Sequence, residues 1–481
     1  MILLTLLFIP LLAAGLIAIT RRRAIMEVLH ILTAMAVLGA GVTIAAQVWN
    51  GEVLAAGDLF RIDALSALMV VIITFLGAIA SLYAVGYIRA DLDDRHLARV
   101  RLFFLLFQLF LFTMLVAVTT DNLGVMWVAI EGTTLATVFL VNLRRSRTSL
   151  EAAYKYLILS SVGIALAFIG TALVYYAGAA SAGEIAVNWS TLRGVAASLN
   201  RDVIRVSFVF IIIGYGTKAG LAPMHTWLPD AHSEAPAPIS ALMSGVLLNV
   251  GLYAILRFKA IVDVALGPEF AAHLLLGIGL LSLLVAAAFL VSQRNYKRML
   301  AYSSVEHIGI ICLGLGFGGY WGTFGALFHV VNHALSKSLL FILSGNILLK
   351  YHSAEIDDVR GLLRAAPWTG ALFVAGILAL VGLPPFALFV SEFIIFRAGL
   401  GSYPWTAAVG VLLLVIIFGG MLASVNRMLY GDPPAALTRD DPLRLWLAPL
   451  ALNFALLIML GLILPPPFEA ALKQALQVLG V

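Results

Sequence analysis

Long apolar runs alternate along this sequence with short stretches that collect most of its charges. About 20 apolar residues in an α-helix cross the roughly 30 Å of bilayer hydrocarbon. Runs of that kind fall near residues 2–20, 25–49, 63–88, 102–120, 122–142, 154–177, 204–224, 236–257, 270–293, 300–318, 321–350, 368–400, 405–428 and 443–464. The pattern predicts an all-α integral membrane protein of about fourteen transmembrane helices, forming a single polytopic domain over residues 1–481. The first run is followed by Arg21-Arg22-Arg23, whereas a cleaved signal peptide carries its charges in front. It therefore reads as a retained first helix.

Two of the runs are interrupted. The seventh breaks at Gly220-Leu221-Ala222-Pro223 and the twelfth at Gly382-Leu383-Pro384-Pro385. Proline lacks the backbone donor and clashes with the preceding turn, so both helices should be discontinuous. The breaks lie five segments apart, an odd number, so repeats of five helices would be inverted relative to each other. The layout expected is a first repeat over about 102–257 and a second over about 270–428, flanked by helices in 1–88 and 443–464. Paired broken helices point to an ion or substrate site near the membrane midplane.

Loop charges set the expected orientation. Odd-numbered loops hold 20 of the 30 lysines and arginines and even-numbered loops hold six. Basic residues stay on the cytoplasmic side, so both termini should be extracytoplasmic. Composition agrees with the membrane reading: 62% of residues are hydrophobic and 11% charged. Soluble domains sit near 45–50% and about 25%. The net charge of +5 is scattered over loops and forms no patch for nucleic acid. Cys312 is the only cysteine, so the chain can build neither a disulfide nor an iron–sulfur cluster. No cofactor is expected in it, and any electrons would travel through partner subunits.

Four charged residues lie where no loop can claim them: Glu131, Lys218, Lys337 and Glu392. A charge at the bilayer centre costs at least about 2.5–3.5 kcal/mol, so each needs a partner, water or a function. His329, His333 and Lys337 are spaced i, i+4, i+8 and share one helix face. Imidazole accepts and donates protons near neutral pH, which suits a relay. The plainer alternative is a set of structural ion pairs and hydrogen-bonded packing residues. Glu306 and His307 in the tenth segment divide evenly between function and structure. His225, Asp230, His232 and Glu234 follow the first break and suit either a proton entry or a solvated loop. Their spacing matches no familiar metal-ligand pattern, so no metal site is expected. Phosphate-cradling loops, nucleotide fingerprints and nucleophile elbows are lacking from the sequence.

Taken together, these motifs resemble the antiporter-like membrane subunits of respiratory complex I, Mrp-type cation/proton antiporters and membrane-bound hydrogenases. The resemblance spans nearly the whole chain. It is carried by Trp127 to Gly132, by Lys218 to His232, by Ala301-Tyr302-Ser303-Ser304, and by His333-Ala334-Leu335-Ser336-Lys337. It implies a glutamate–lysine pair at Glu131 and Lys218, a central lysine at Lys337 with neighbouring His329 and His333, and a terminal charge at Glu392. Where complex I homologues often carry a lysine in the eighth segment, this chain has Asn249. Together with Glu306-His307, that is more similar to the F component of hydrogenase-4 or formate hydrogenlyase-type complexes. The implied role is proton translocation in the inner (cell) membrane of a bacterium or archaeon. Partners would be other membrane subunits and peripheral iron–sulfur and nickel–iron subunits. The alternatives are a sodium/proton antiporter subunit working without electrons, or a structural membrane subunit.

Overall fold

The computed structural model describes residues 1–182, 187–435 and 437–481. The chain opens with α1 (Ile2–Ile19) and α2 (Arg23–Trp49), then a small hairpin of β1 (Leu54–Ala56) and β2 (Phe60–Ile62). Next come α3 (Ala64–Asp91), α4 (Leu97–Thr119), α5 (Leu123–Val141) and α6 (Arg147–Ala182). The short α7 (Trp189–Gly194) leads to α8 (Arg201–Ala219), and beyond the first break lie α9 (Trp227–Glu234) and α10 (Ala237–Leu242). A π-helical turn, Met243–Leu247, joins α10 to α11 (Leu248–Leu266) as one span. It is followed by α12 (Pro268–Leu290), α13 (Tyr296–Phe317) and α14 (Gly319–Tyr351). The remainder is α15 (Leu362–Ala365), α16 (Pro367–Leu380), α17 (Ala387–Ser402), α18 (Pro404–Leu429), α19 (Ala448–Leu462) and α20 (Pro466–Leu479).

Among the described residues, eleven helices are long and apolar enough to cross a membrane, or twelve if α19 and α20, bent by 80°, form one span. This is the bundle of a multi-pass membrane protein. The predicted segments outside the eleven are the two interrupted ones and the last, near 443–464, which counts only when α19 and α20 are taken together. Helix α8 carries Arg201, Asp202, Arg205 and Lys218 within 19 residues. The twelfth segment is split into α16 and α17, of 14 and 16 residues. Helix α20 went unpredicted, although Pro465-Pro466-Pro467 and buried positions at 471, 472, 475, 476 and 479 announce an amphipathic helix.

Both breaks are closed in the same way. Gly220 takes a left-handed φ of +77° and the Leu221 N–H reaches back to the Gly216 carbonyl at 2.9 Å. Gly382 takes φ +67° and the Leu383 N–H reaches the Leu378 carbonyl at 3.1 Å. A residue with a Cβ resists that conformation, which accounts for glycine ahead of each proline. The ends are then tied across: the Trp227 indole N–H donates to the Thr217 carbonyl at 2.9 Å, and Asn332 donates to the Ala387 carbonyl at 2.9 Å.

The bundle is sorted by burial. The span from Ala237 to Leu266 and helices α13 and α14 are almost wholly buried, whereas α1, α2, α6 and α18 leave much of their surface exposed to lipid. The inner helices can carry polar side chains because the outer ones stand between them and hydrocarbon. Several residues that look like loop charges are part of this interior. Arg257 lies within α11, and Lys297, next to Arg294 and Arg298, is buried in the first turn of α13.

Arg257 closes one end of the bundle. Its guanidinium grips Asp63 with two bonds of 2.6 and 2.7 Å and donates to Ser66 at 2.8 Å and to the Tyr253 hydroxyl at 2.9 Å. It also lies 4.3 Å from the Trp189 ring centre. Tyr253 donates in turn to the Val118 carbonyl at 3.0 Å, so α3, α4, α7 and α11 meet at one clamp. Removing one partner of a buried pair leaves the other charge uncompensated, at about 3–5 kcal/mol. Arg257→Ala should therefore lower the thermal midpoint of the purified protein in detergent by many degrees. Arg257→Lys should recover only part of the loss, because an ammonium cannot make the bidentate fork. An unchanged midpoint in Arg257→Ala would show that the clamp contributes nothing.

Candidate functional site

The last turn of α8 places Lys218 wholly buried, just before the first break. Its ammonium donates to the Thr134 hydroxyl, and the Glu131 carboxylate lies 3.4 Å away. Thr134 and Ser161 both donate to that carboxylate, at 3.2 and 3.0 Å. Lys218 Nζ is also 5.9 Å from the Tyr156 ring centre. Helix-end carbonyls favour a cation in this last turn, which adds to the pairing. The family resemblance implies this pair, and the structure brings the two residues together from α5 and α8.

Lys337 sits midway along α14, wholly buried, and is held differently. It donates to the Leu300 carbonyl at 3.0 Å and to the Ser303 hydroxyl, both on α13. Among the described residues, no carboxylate stands within ion-pair distance of it. Glu306, one turn further along α13, is the acidic group whose field reaches it.

The histidines share the expected face of α14, but their closest partner comes from another helix. His329 Nε2 lies 3.0 Å from His307 Nδ1 on α13, and His329 Nδ1 lies 2.9 Å from the Ser391 hydroxyl on α17. The His307 and His333 rings are 5.5 Å apart. Neither nitrogen of His333 has a partner within the protein, nor has Nε2 of His307. Glu392 on α17 brings its carboxylate against Gly382, in the second break. A carboxylate oxygen of Glu392 and ring nitrogens of His307 and His329 all lie within 4.8 Å of one another. His307 thus belongs to the histidine cluster next to Lys337, and Glu306 is its buried neighbour on α13.

Between the Glu131–Lys218 pair and this cluster runs the Ala237–Leu266 span, packed against both α8 and α14. It offers Asn249, whose amide donates to the Gly245 carbonyl at 2.8 Å while its Oδ1 is buried without a partner. On the π-helical turn, Ser244 is 2.7 Å from Ser304 of α13. That serine pair was missed in the sequence, where serines within apolar helices carry no signal of their own.

Below the first break, α9 carries His232 wholly buried, stacked 4.8 Å from the Phe341 ring, with neither nitrogen partnered. Lys297 approaches the same helix, donating to the carbonyls of Ser233 and Ala235 at 2.8 and 2.9 Å. Asp230 instead faces a cleft of about 170 Å³ and pairs with Arg298 at 2.5 Å and Lys155 at 3.1 Å. His225 packs edge-on to Tyr302 at 6.1 Å. The structure therefore separates this set: His232 belongs to the interior, and Asp230 to the surface.

Fold and site together define a polytopic membrane protein with an ionisable interior. Residues 120–417 match the family described as NADH:quinone oxidoreductase/Mrp antiporter, TM, and residues 58–99 match NADH-ubiquinone oxidoreductase (complex I), chain 5 N-terminus. The chain belongs to this family of antiporter-like membrane subunits. It is similar to the hydrogenase-4 component F homolog of Methylacidiphilum infernorum (isolate V4), at 39% identity over 414 residues, 85% of this chain and 86% of that one. Its backbone overlays a chain of the membrane-bound sulfane sulfur reductase, an archaeal respiratory membrane complex, with a TM-score of 0.90 at 24% identity, over 99% of this chain and 97% of that one. It overlays a chain of the Mrp complex from Dietzia sp. DQ12-45-1b with a TM-score of 0.87 at 22% identity, over 99% and 97%. At these identities the structural likeness speaks for the fold alone.

Proposed function

We propose that this chain is the proton-translocating, antiporter-like subunit of a membrane-bound hydrogenase-like or complex I-like oxidoreductase. The observation that carries the reading is the setting of Lys337. A wholly buried lysine bound to a carbonyl and a hydroxyl, with no ion-paired carboxylate among the described residues, is poised to exchange its proton. Protons would pass between the Glu131–Lys218 pair, the Asn249 and Ser244–Ser304 region, Lys337 with His307, His329 and His333, and Glu392. His232 and Lys297 lie where an entry from the α9 side would lead. Moving one charge against 100 mV costs about 2.3 kcal/mol, so the driving energy must come from elsewhere. One cysteine cannot ligate an iron–sulfur cluster, and in this reading peripheral iron–sulfur and nickel–iron subunits would supply that energy.

The Mrp-type alternative, sodium/proton exchange without electrons, finds less support in the interior. A hard cation favours oxygen ligands, and the centre of this axis presents imidazole and ammonium nitrogens. The loop bearing Arg144 and Arg145 would face the cytoplasm and both termini the outside. Thiol labelling of cysteines engineered at residues 145 and 480 should mark opposite faces of the membrane; labelling from the same side would contradict that orientation.

The test of function is substitution at Lys337 in the assembled complex. Arginine keeps its proton at physiological pH, whereas a desolvated lysine can release one. Lys337→Ala and Lys337→Arg should both abolish proton uptake into vesicles while complex yield is preserved. Normal pumping in Lys337→Arg with loss only in Lys337→Ala would show that a fixed positive charge suffices, and the relay would be wrong.

A further inference from the structure

Where α13, α14 and α17 meet, the donor atoms go beyond what a hydrogen-bonded relay requires. His307 Nδ1 and His329 Nε2 face each other at 3.0 Å, and the Glu392 carboxylate completes a triangle no wider than 4.8 Å. Zinc bonds imidazole nitrogen and carboxylate oxygen at about 2.0–2.2 Å, which sets tetrahedral ligand atoms about 3.4 Å apart. The observed separations bracket that value, so small side-chain rotations would close the site. Two imidazoles and one carboxylate are a donor set suited to late first-row divalent ions. Sodium, magnesium and calcium call for oxygens instead.

Three further observations belong to the same place. His329 is oriented from behind by Ser391, 2.9 Å from its Nδ1, the kind of outer contact that fixes a ligating histidine. His333, whose ring is 5.5 Å from that of His307, is wholly buried and has no partner at either nitrogen, and it stands beside the three-residue cluster without being part of it. Lys337 acts against a cation there, since its charge reaches His307 and His333. Access is available at the second break, because Glu392 is the one ligand that is not fully buried and it borders Gly382 there.

We propose that His307, His329 and Glu392 form a binding site for a divalent transition-metal ion, with zinc as the fitting member. The binding itself is independent of the proton reading. Its consequence, closure of the path by an ion lodged on it, rests on that reading.

The experiment uses the whole complex, stripped with chelator, dialysed against graded zinc chloride and analysed for bound zinc per chain. Wild type should hold one equivalent more than His307→Gln, His329→Gln and Glu392→Gln, each checked for complex yield. Ser391→Ala, which removes no ligand, should bind that equivalent about tenfold more weakly. Equal zinc content and affinity in wild type and all three ligand variants would overturn the site. So would loss of the equivalent only on His96→Gln, at the exposed His96–Asp93 pair. Zinc that binds as described yet leaves proton uptake unchanged would uphold the site and count against the relay.

Discussion

Inside a bilayer a polar side chain has no solvent to fall back on, so it must be satisfied by the protein or by water the protein admits. That requirement orders the whole structure. The most apolar helices, such as α1 and α18, take the periphery, where lipid covers them. Helices with ionisable residues, α13 and α14 above all, take the centre. Each lysine of the interior meets the requirement differently. Lys218 has a carboxylate and a threonine, Lys337 a carbonyl and a serine, and Lys297 two helix-end carbonyls. Of these three, only Lys218 has a carboxylate within ion-pair distance.

The two breaks follow from the same constraint. A continuous helix consumes its own backbone groups, whereas an interrupted one frees carbonyls and N–H groups at mid-membrane. The Gly220 and Gly382 turns do this next to Lys218 and Glu392, the outlying ionisable groups of the row. Where the chain must also stay rigid, the charges are locked together, as at the Arg257–Asp63 clamp. Loosely partnered charges and fixed ion pairs are thus built from the same residue types and distinguished by geometry.

Much of this was legible in the sequence. Length and apolarity give the membrane helices, Gly-Leu-Ala-Pro and Gly-Leu-Pro-Pro give the breaks, and i, i+4 spacing gives the shared face of His329, His333 and Lys337. Periodicity describes a helix's own faces and is silent on which neighbour it meets. The approach of His307 to His329, the Ser244–Ser304 contact and the burial of Lys297 between Arg294 and Arg298 all depend on contacts between helices, and they could not be read. Breaks and charges make α8, α16 and α17 shorter or more polar than their apolar stretches suggest, so none of them by itself is a long apolar span.

The central claim is that the interior residues form one hydrated path and not a set of isolated polar contacts. Several buried polar atoms along it have no partner within the protein: Asn249 Oδ1, His232 and His333 at both nitrogens, His307 Nε2 and the Ser336 hydroxyl. Buried groups of this kind are normally satisfied by ordered water. A cryo-electron microscopy structure of the assembled complex in lipid nanodiscs, at a resolution that shows water, tests this directly. Ordered waters are expected on those atoms, linking Lys218 past Asn249 and the Ser244–Ser304 contact to Lys337, and on to Glu392. A dry, close-packed apolar gap between Lys218 and Lys337 would contradict the claim.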